Sequence, residues 1–91
     1  MKTYIISCLD KKNSLKKRLA NRDLHLKYLK SLKNKLILAG PILNSTNKPK
    51  GSVLILQFQN KLKLNDFLKN DPYSKAGLFE TVNIEIFKRV F

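Results

Sequence analysis

The chain has 91 residues, 43% of them hydrophobic, with one cysteine, one histidine and a formal net charge of +13. This length predicts a single domain over residues 1–91 that buries only about 60–65% of the surface of its unfolded chain, so pairing with a second copy is an expected source of stability. The composition excludes a disordered tail, a single cysteine excludes an intrachain disulfide or a multi-cysteine zinc site, and no apolar run approaches the ~20 residues that span a bilayer.

Residues 2–9 predict a strand, because Tyr4, Ile5 and Ile6 favour β geometry and apolar side chains fall on both faces. Cys8 lies in this apolar run, where a buried thiol is expected in preference to a reactive one. The first ten residues carry one positive charge, a short apolar stretch and no small-residue cleavage site. They do not make a signal peptide, and a cytoplasmic location is the expectation.

Asn13 or Ser14 caps a helix over 14–34, with Leu15, Leu19, Arg22, His25 or Leu26, Leu29, Leu32 or Lys33, and Leu36 recurring at three- and four-residue steps. Lys16, Lys17, Lys27 and Lys30 fall toward its solvated side. Arg22 and His25 are one turn apart, beside the apolar stripe. Residues 36–39 predict a short strand ended by Gly40-Pro41, followed by a loop from Asn44 to Gly51. The next strand runs from Ser52 to Phe58. Ser52, Leu54, Leu56 and Phe58 share one face, and Val53, Ile55 and Gln57 the other.

Asn60 caps a second helix whose apolar positions are Leu62, Leu64, Phe67 and Leu68. Pro72 disfavours helical geometry at Asp71, which ends that helix near Asn70. Tyr73 to Gly77 predicts one more turn, and Glu80 to Lys88 the final strand. Gly40, Gly51 and Gly77 are expected in turns or caps. The order strand, helix, strand, strand, helix, strand gives an α+β, ferredoxin-like βαββαβ fold: a four-stranded antiparallel sheet with both helices on one face. Its second face is partly apolar and requires a cover.

The basic excess reads in two ways. It is either a phosphate-binding surface or compositional drift toward lysine. Only Arg18, Arg22 and Arg89 among the 19 basic residues carry the fork that grips phosphate bidentately, and the lysines are dispersed along the chain. Both facts favour drift. The face bearing Val53, Ile55 and Gln57 also offers no aromatic pair for stacking bases, so nucleic-acid binding ranks last. One histidine, one cysteine and six scattered carboxylates form no recognisable metal-ligand set. No glycine-rich phosphate loop is present.

For proton-transfer chemistry the strongest candidates are His25 and Asp71. An imidazole of ordinary pKa, about 6.5, exchanges protons near neutrality, and a proline after Asp71 stiffens the backbone that aims its carboxylate. The alternative for His25 is a packed or capping histidine.

The assembled residues resemble the YciI (YCII) family. The likeness runs from Tyr4 and Asp10-Lys11 through Ser14 to Leu19 and the Arg22-x-x-His25-Leu26-x-x-Leu29 segment. It continues through Leu38 to Pro41, Gly51-Ser52, Asp71-Pro72-Tyr73-x-x-Ala76-Gly77 and the closing Phe87 to Phe91. Their order and spacing are specific together. The resemblance implies a dimeric α+β barrel in which two sheets face one another, and an active site on a His–Asp pair mapping to His25 and Asp71. Members of the wider superfamily include muconolactone isomerases, dehydrochlorinases and monooxygenase-like proteins acting without metals or dedicated cofactors. The segment from Gly40 to Gly51 is shorter than in many relatives.

The expected function is therefore cofactor-free general acid–base chemistry on a small organic molecule, isomerase- or lyase-like, by a homodimer. Arg22 either holds a substrate carboxylate or pairs with Asp71 or another acid. Ser52 either donates a hydrogen bond into the pocket or is a structural turn residue. Tyr73 is expected to pack beside the site as a substrate-binding residue, the alternative being that it reacts. The alternative function is a non-catalytic ligand-binding or interaction module of the same fold.

Overall fold

Alternation along the strands decides where the core lies. A computed structural model describes residues 1–91, in the order β1 (Lys2–Asp10), α1 (Leu15–Lys30), a 3-10 turn (Lys33–Lys35), β2 (Leu36–Leu43), β3 (Pro49–Phe58), α2 (Lys61–Lys69), α3 (Pro72–Lys75) and β4 (Phe79–Ile86). The strands form one antiparallel sheet in the order β2-β3-β1-β4. Tyr4, Ile6 and Cys8 of β1 lie beside Leu54, Leu56 and Phe58 of β3, and all are buried. Leu29 of α1 and Leu64 of α2 close over this same set, so both long helices cover one face. This is the ferredoxin-like arrangement expected from the order of elements.

On the opposite face Ile5 pairs with Ile55 and Ser7 with Val53 at the centre of the sheet. Leu9 and Leu38 stand 44% and 50% exposed there and Ile5 and Val53 are half-buried, so apart from the buried Ile55 the face presents apolar surface to water in a single chain.

Local chemistry sets the element ends, and in four places it moves them from where periodicity alone puts them. α1 stops at Lys30, not near residue 34, because Lys33 takes a left-handed φ of 53° that no helix continues through. β2 runs on through Gly40 and Pro41 to Leu43. It is an outer strand, where a proline lacking its N–H interrupts no ladder on the solvent side. The loop shrinks correspondingly to a tight turn. Asn44 Oδ1 accepts hydrogen bonds from the Thr46 and Lys48 amides at 2.9 and 3.1 Å, and β3 already begins at Pro49. β4 ends at Ile86, not Lys88. α2 does start behind Asn60, whose side chain accepts from the Lys63 amide at 2.9 Å.

Gly40 and Gly51 therefore lie inside strands, whereas Gly77, at φ +71°, ends α3 as a cap glycine. The reason for Gly51 is proximity. A Cβ there would stand 2.2 Å from the Cys8 carbonyl oxygen of the neighbouring strand. Backbone cannot yield as a side chain does, so Gly51→Ala should cost about 1–3 kcal/mol, as overpacking does. In a domain of this size each kcal/mol lowers the melting temperature by roughly 4–8 °C. Gly40→Ala, with no atom within 4 Å of the added carbon, should leave the melting temperature nearly unchanged. Thermal unfolding of the two variants checks the contrast.

Candidate active site

Three segments converge beneath α1. The helix carries Arg18, Arg22 and His25 at steps of four and three, which puts them on one stripe. Asp71 and Tyr73 arrive from the junction of α2 and α3. Asp71 caps α3 through its side chain, accepting from the Tyr73 amide at 2.9 Å, and Pro72 occupies the first helical position. Ser52 arrives from β3, opposite Cys8 on one side and Pro41 on the other, so it is a strand residue and not a turn residue.

His25 and Asp71 meet. Nδ1 of the imidazole lies 2.9 and 3.0 Å from the two carboxylate oxygens, and the residues are 5% and 2% exposed. A carboxylate accepts, so the partner assigns the hydrogen to Nδ1 and the lone pair to Nε2. No buried polar side-chain atom lacks a hydrogen-bond partner, and Nε2 has none within the protein. Nε2 therefore opens onto the cavity that His25 lines.

Tyr73 fixes the ring plane. Its phenol ring stacks on the imidazole at 3.9 Å with 14° between planes, and the Arg18 guanidinium lies 4.7 Å from the Tyr73 ring centroid. Phe79 meets Tyr73 edge-on. Burial pushes the Tyr73 hydroxyl above its ordinary pKa, against the opposing pull of the Arg18 and Arg22 charges.

Arg18 and Asp10 were not singled out by residue pattern, yet they complete the site. Arg18 Nε and Nη2 donate to the two Asp10 oxygens at 2.6 and 2.8 Å. Nη2 also donates to Ser52 Oγ at 2.9 Å. Burial alone would lower the Arg18 pKa, but the hydrogen bonds and charge of Asp10 outweigh it, and Arg18 is held above its ordinary value. The available signal was the stripe itself, since Arg18 stands four residues before Arg22 and seven before His25.

Arg22 is exposed at the mouth of the same cavity and belongs to neither ion pair, so the pairing with Asp71 considered from sequence is not formed. The cavity measures about 220 Å³, and its apolar wall comes from Leu26 and Leu29 on α1 and from Ala39, Pro41 and Leu54 on the sheet. Cys8 lies in the adjacent core with its thiol pushed up to about 12, by burial first and then by the Asp71 charge. A thiol in that state is protonated at neutral pH and supplies no nucleophile. No group of three or more His, Cys, Asp or Glu side chains is gathered that could hold a metal ion.

Residues 2–88 match the family model of the YCII-related domain. The chain belongs to the YCII-related domain family. An uncharacterized protein of Haemophilus influenzae is 40% identical over 96 aligned positions, covering 97% of this chain and 98% of that protein. Protein YciI of Escherichia coli is 36% identical with the same coverage. Among solved structures, 5-chloro-2-hydroxyhydroquinone dehydrochlorinase from Burkholderia phenoliruptrix AC1100, in complex with 2,5-dihydroxybenzoquinone, superimposes with a TM-score of 0.92. Its identity to this YCII-family chain is 33%, over 97% of this chain and 95% of that one. An antibiotic biosynthesis monooxygenase, 9% identical with a TM-score of 0.60 over 99% of both chains, shares the fold alone. No helix of the YCII-family chain is long and apolar enough to cross a membrane.

Proposed function

We propose that this chain is a cofactor-free enzyme that moves a proton on a small organic molecule, with His25 as the catalytic acid or base. The observation that carries the reading is the bond from His25 Nδ1 to Asp71, which leaves Nε2 as the free proton acceptor at the cavity wall. Asp71 holds the tautomer and stabilises the imidazolium as it forms, the part a carboxylate plays behind histidine in hydrolase triads. Ser52 and Arg22 contact the substrate, and Tyr73 holds the imidazole plane. A dehydrochlorination, as carried out by the similar Burkholderia protein, is one reaction that starts with such a proton transfer, and an isomerisation is another.

The same reading makes the active form a cytoplasmic homodimer. Two sheets packed by the face bearing Ile5, Val53, Ile55 and Leu38 remove that apolar surface from water and form an α+β barrel. Light scattering at moderate salt should return twice the chain mass, and a stable monomer would rule the assembly out.

The direct test of the chemistry needs no named substrate. The protein is incubated in D₂O with a panel of lactones, ketones and hydroxylated quinones, and deuterium uptake at acidic C–H positions is followed by NMR. Uptake faster than in buffer supports the enzyme. Ligand binding with no uptake anywhere in the panel would replace it by a non-catalytic binding module.

A further inference from the structure

The charges around the cavity are distributed unevenly. Thirteen residues line it, and none is Asp or Glu. The two nearby carboxylates are both engaged from behind, Asp10 by Arg18 and Asp71 by His25 and the Tyr73 amide. Arg18 is thereby neutralised, whereas Arg22 is not. Its neighbours one turn away on α1 are Arg18, Leu19, His25 and Leu26, none of which can pair with it.

Outside the mouth the field keeps the same sign. Pro49 borders both the cavity and a second depression lined by Lys11, Lys12, Lys48 and Lys50, whose only carboxylate is the already paired Asp10. A concave entrance with one sign of charge and low-dielectric walls concentrates ligands of the opposite sign. The Arg22 charge is also felt inside, because it acts on the Tyr73 phenol together with that of Arg18.

Deeper in, Ser52 is 3% exposed and accepts the Arg18 Nη2 hydrogen, so its own hydroxyl hydrogen is left to donate. The site thus presents a cation at the rim, a hydroxyl donor inside and one basic nitrogen, His25 Nε2. At about 220 Å³ it lies below the ~300–1,000 Å³ typical of drug-sized ligands. One ring with small substituents fits that volume.

We infer that the cavity takes single-ring organic anions, carboxylates or ionised enols, with Arg22 binding the charged oxygens at the rim and Ser52 donating to a second oxygen inside. This rests on the reading of the cavity as a small-molecule site and adds the class of molecule and the residue that selects it. Arg22 is suited to that selection because its planar fork matches a carboxylate bidentately and reaches it from solvent without rearranging the core.

The test uses matched pairs that differ only in charge, benzoate with benzamide and salicylate with salicylamide. Affinity is measured by titration calorimetry, and position by the NMR shifts of Arg22, His25 and Ser52. Each anion should bind about tenfold or more tightly than its amide, as a charge-assisted bond predicts, and added salt should narrow the gap. Arg22→Gln should remove the preference, weakening the anion far more than its amide, and Arg22→Lys should keep part of it. Equal affinities for pairs that do shift the cavity resonances would overturn the anion assignment and leave the small-molecule site standing. A preference that survives Arg22→Gln would remove Arg22 from the role. Failure of every pair to shift those resonances would bring down the inference and the site reading together.

Discussion

Replacing His25 by glutamine is expected to lower turnover by roughly 10²–10⁴-fold, the share that a positioned acid or base contributes. The choice of glutamine follows from what stands around the ring. Alanine would remove the plate on which Tyr73 stacks at 3.9 Å and leave the 2% exposed Asp71 carboxylate without its donor. Breaking a buried pair in that way costs about 3–5 kcal/mol, and lost folding would be mistaken for lost chemistry. Glutamine can still donate an amide hydrogen to Asp71, but its carboxamide takes no proton at neutral pH. The measurement is the rate of deuterium uptake for whichever panel compound the wild type exchanges, alongside circular dichroism and thermal unfolding. A folded glutamine variant that exchanges as fast as the wild type would end the catalytic role of His25.

Much of this site can be read from the chain because it is built from local rules. A proline after Asp71 dictates an extended backbone there, and an aspartate before a helical turn is a natural cap. Arg22 and His25 share a face through helical spacing alone. The alternation of Ser52, Leu54, Leu56 and Phe58 likewise fixes which face of β3 meets the helices. What the residue pattern does not disclose depends on partners distant in sequence. β2 continues through Pro41 because it is an outer strand, and strand position is a property of the assembled sheet. Gly51 is needed because the Cys8 carbonyl crosses close to it, a contact fixed by cross-strand register. The Arg18–Asp10 pair bridges the turn between β1 and α1, and nothing in local propensity favours that arginine over its basic neighbours Lys16 and Lys17. Their meeting depends on where β1 ends relative to the first turns of α1. That Asp71 reaches His25 across 46 residues is likewise a tertiary fact, which the family resemblance implied and spacing could not.

The Arg18–Asp10 pair carries the largest expected effect on stability. Arg18 is 4% exposed and the Asp10 side chain 6%, and two short hydrogen bonds join them. Asp10→Ala leaves a guanidinium desolvated with only the Ser52 hydroxyl to accept from it, and such a loss costs about 3–5 kcal/mol. Against a total stability of about 5–15 kcal/mol that is enough to populate the unfolded chain measurably. Removing both charges should cost much less. An Asp10→Leu, Arg18→Met double variant fills similar volume with apolar atoms, and such replacements of whole buried pairs are often neutral. Urea unfolding of Asp10→Leu, Arg18→Met and the double that combines them closes a cycle, whose coupling should be large and favourable to the pair. Additive losses, or a cost for Asp10→Ala within about 0.5 kcal/mol as at an ordinary surface site, would show that the pair is not the anchor its burial suggests. The double variant should fold and still bind one-ring anions less well, because Ser52 loses the donor that leaves its hydroxyl hydrogen aimed at the cavity. Stability and site geometry then separate in one protein: the ion pair as a whole can be dispensed with for folding, while its arginine is needed to orient the serine.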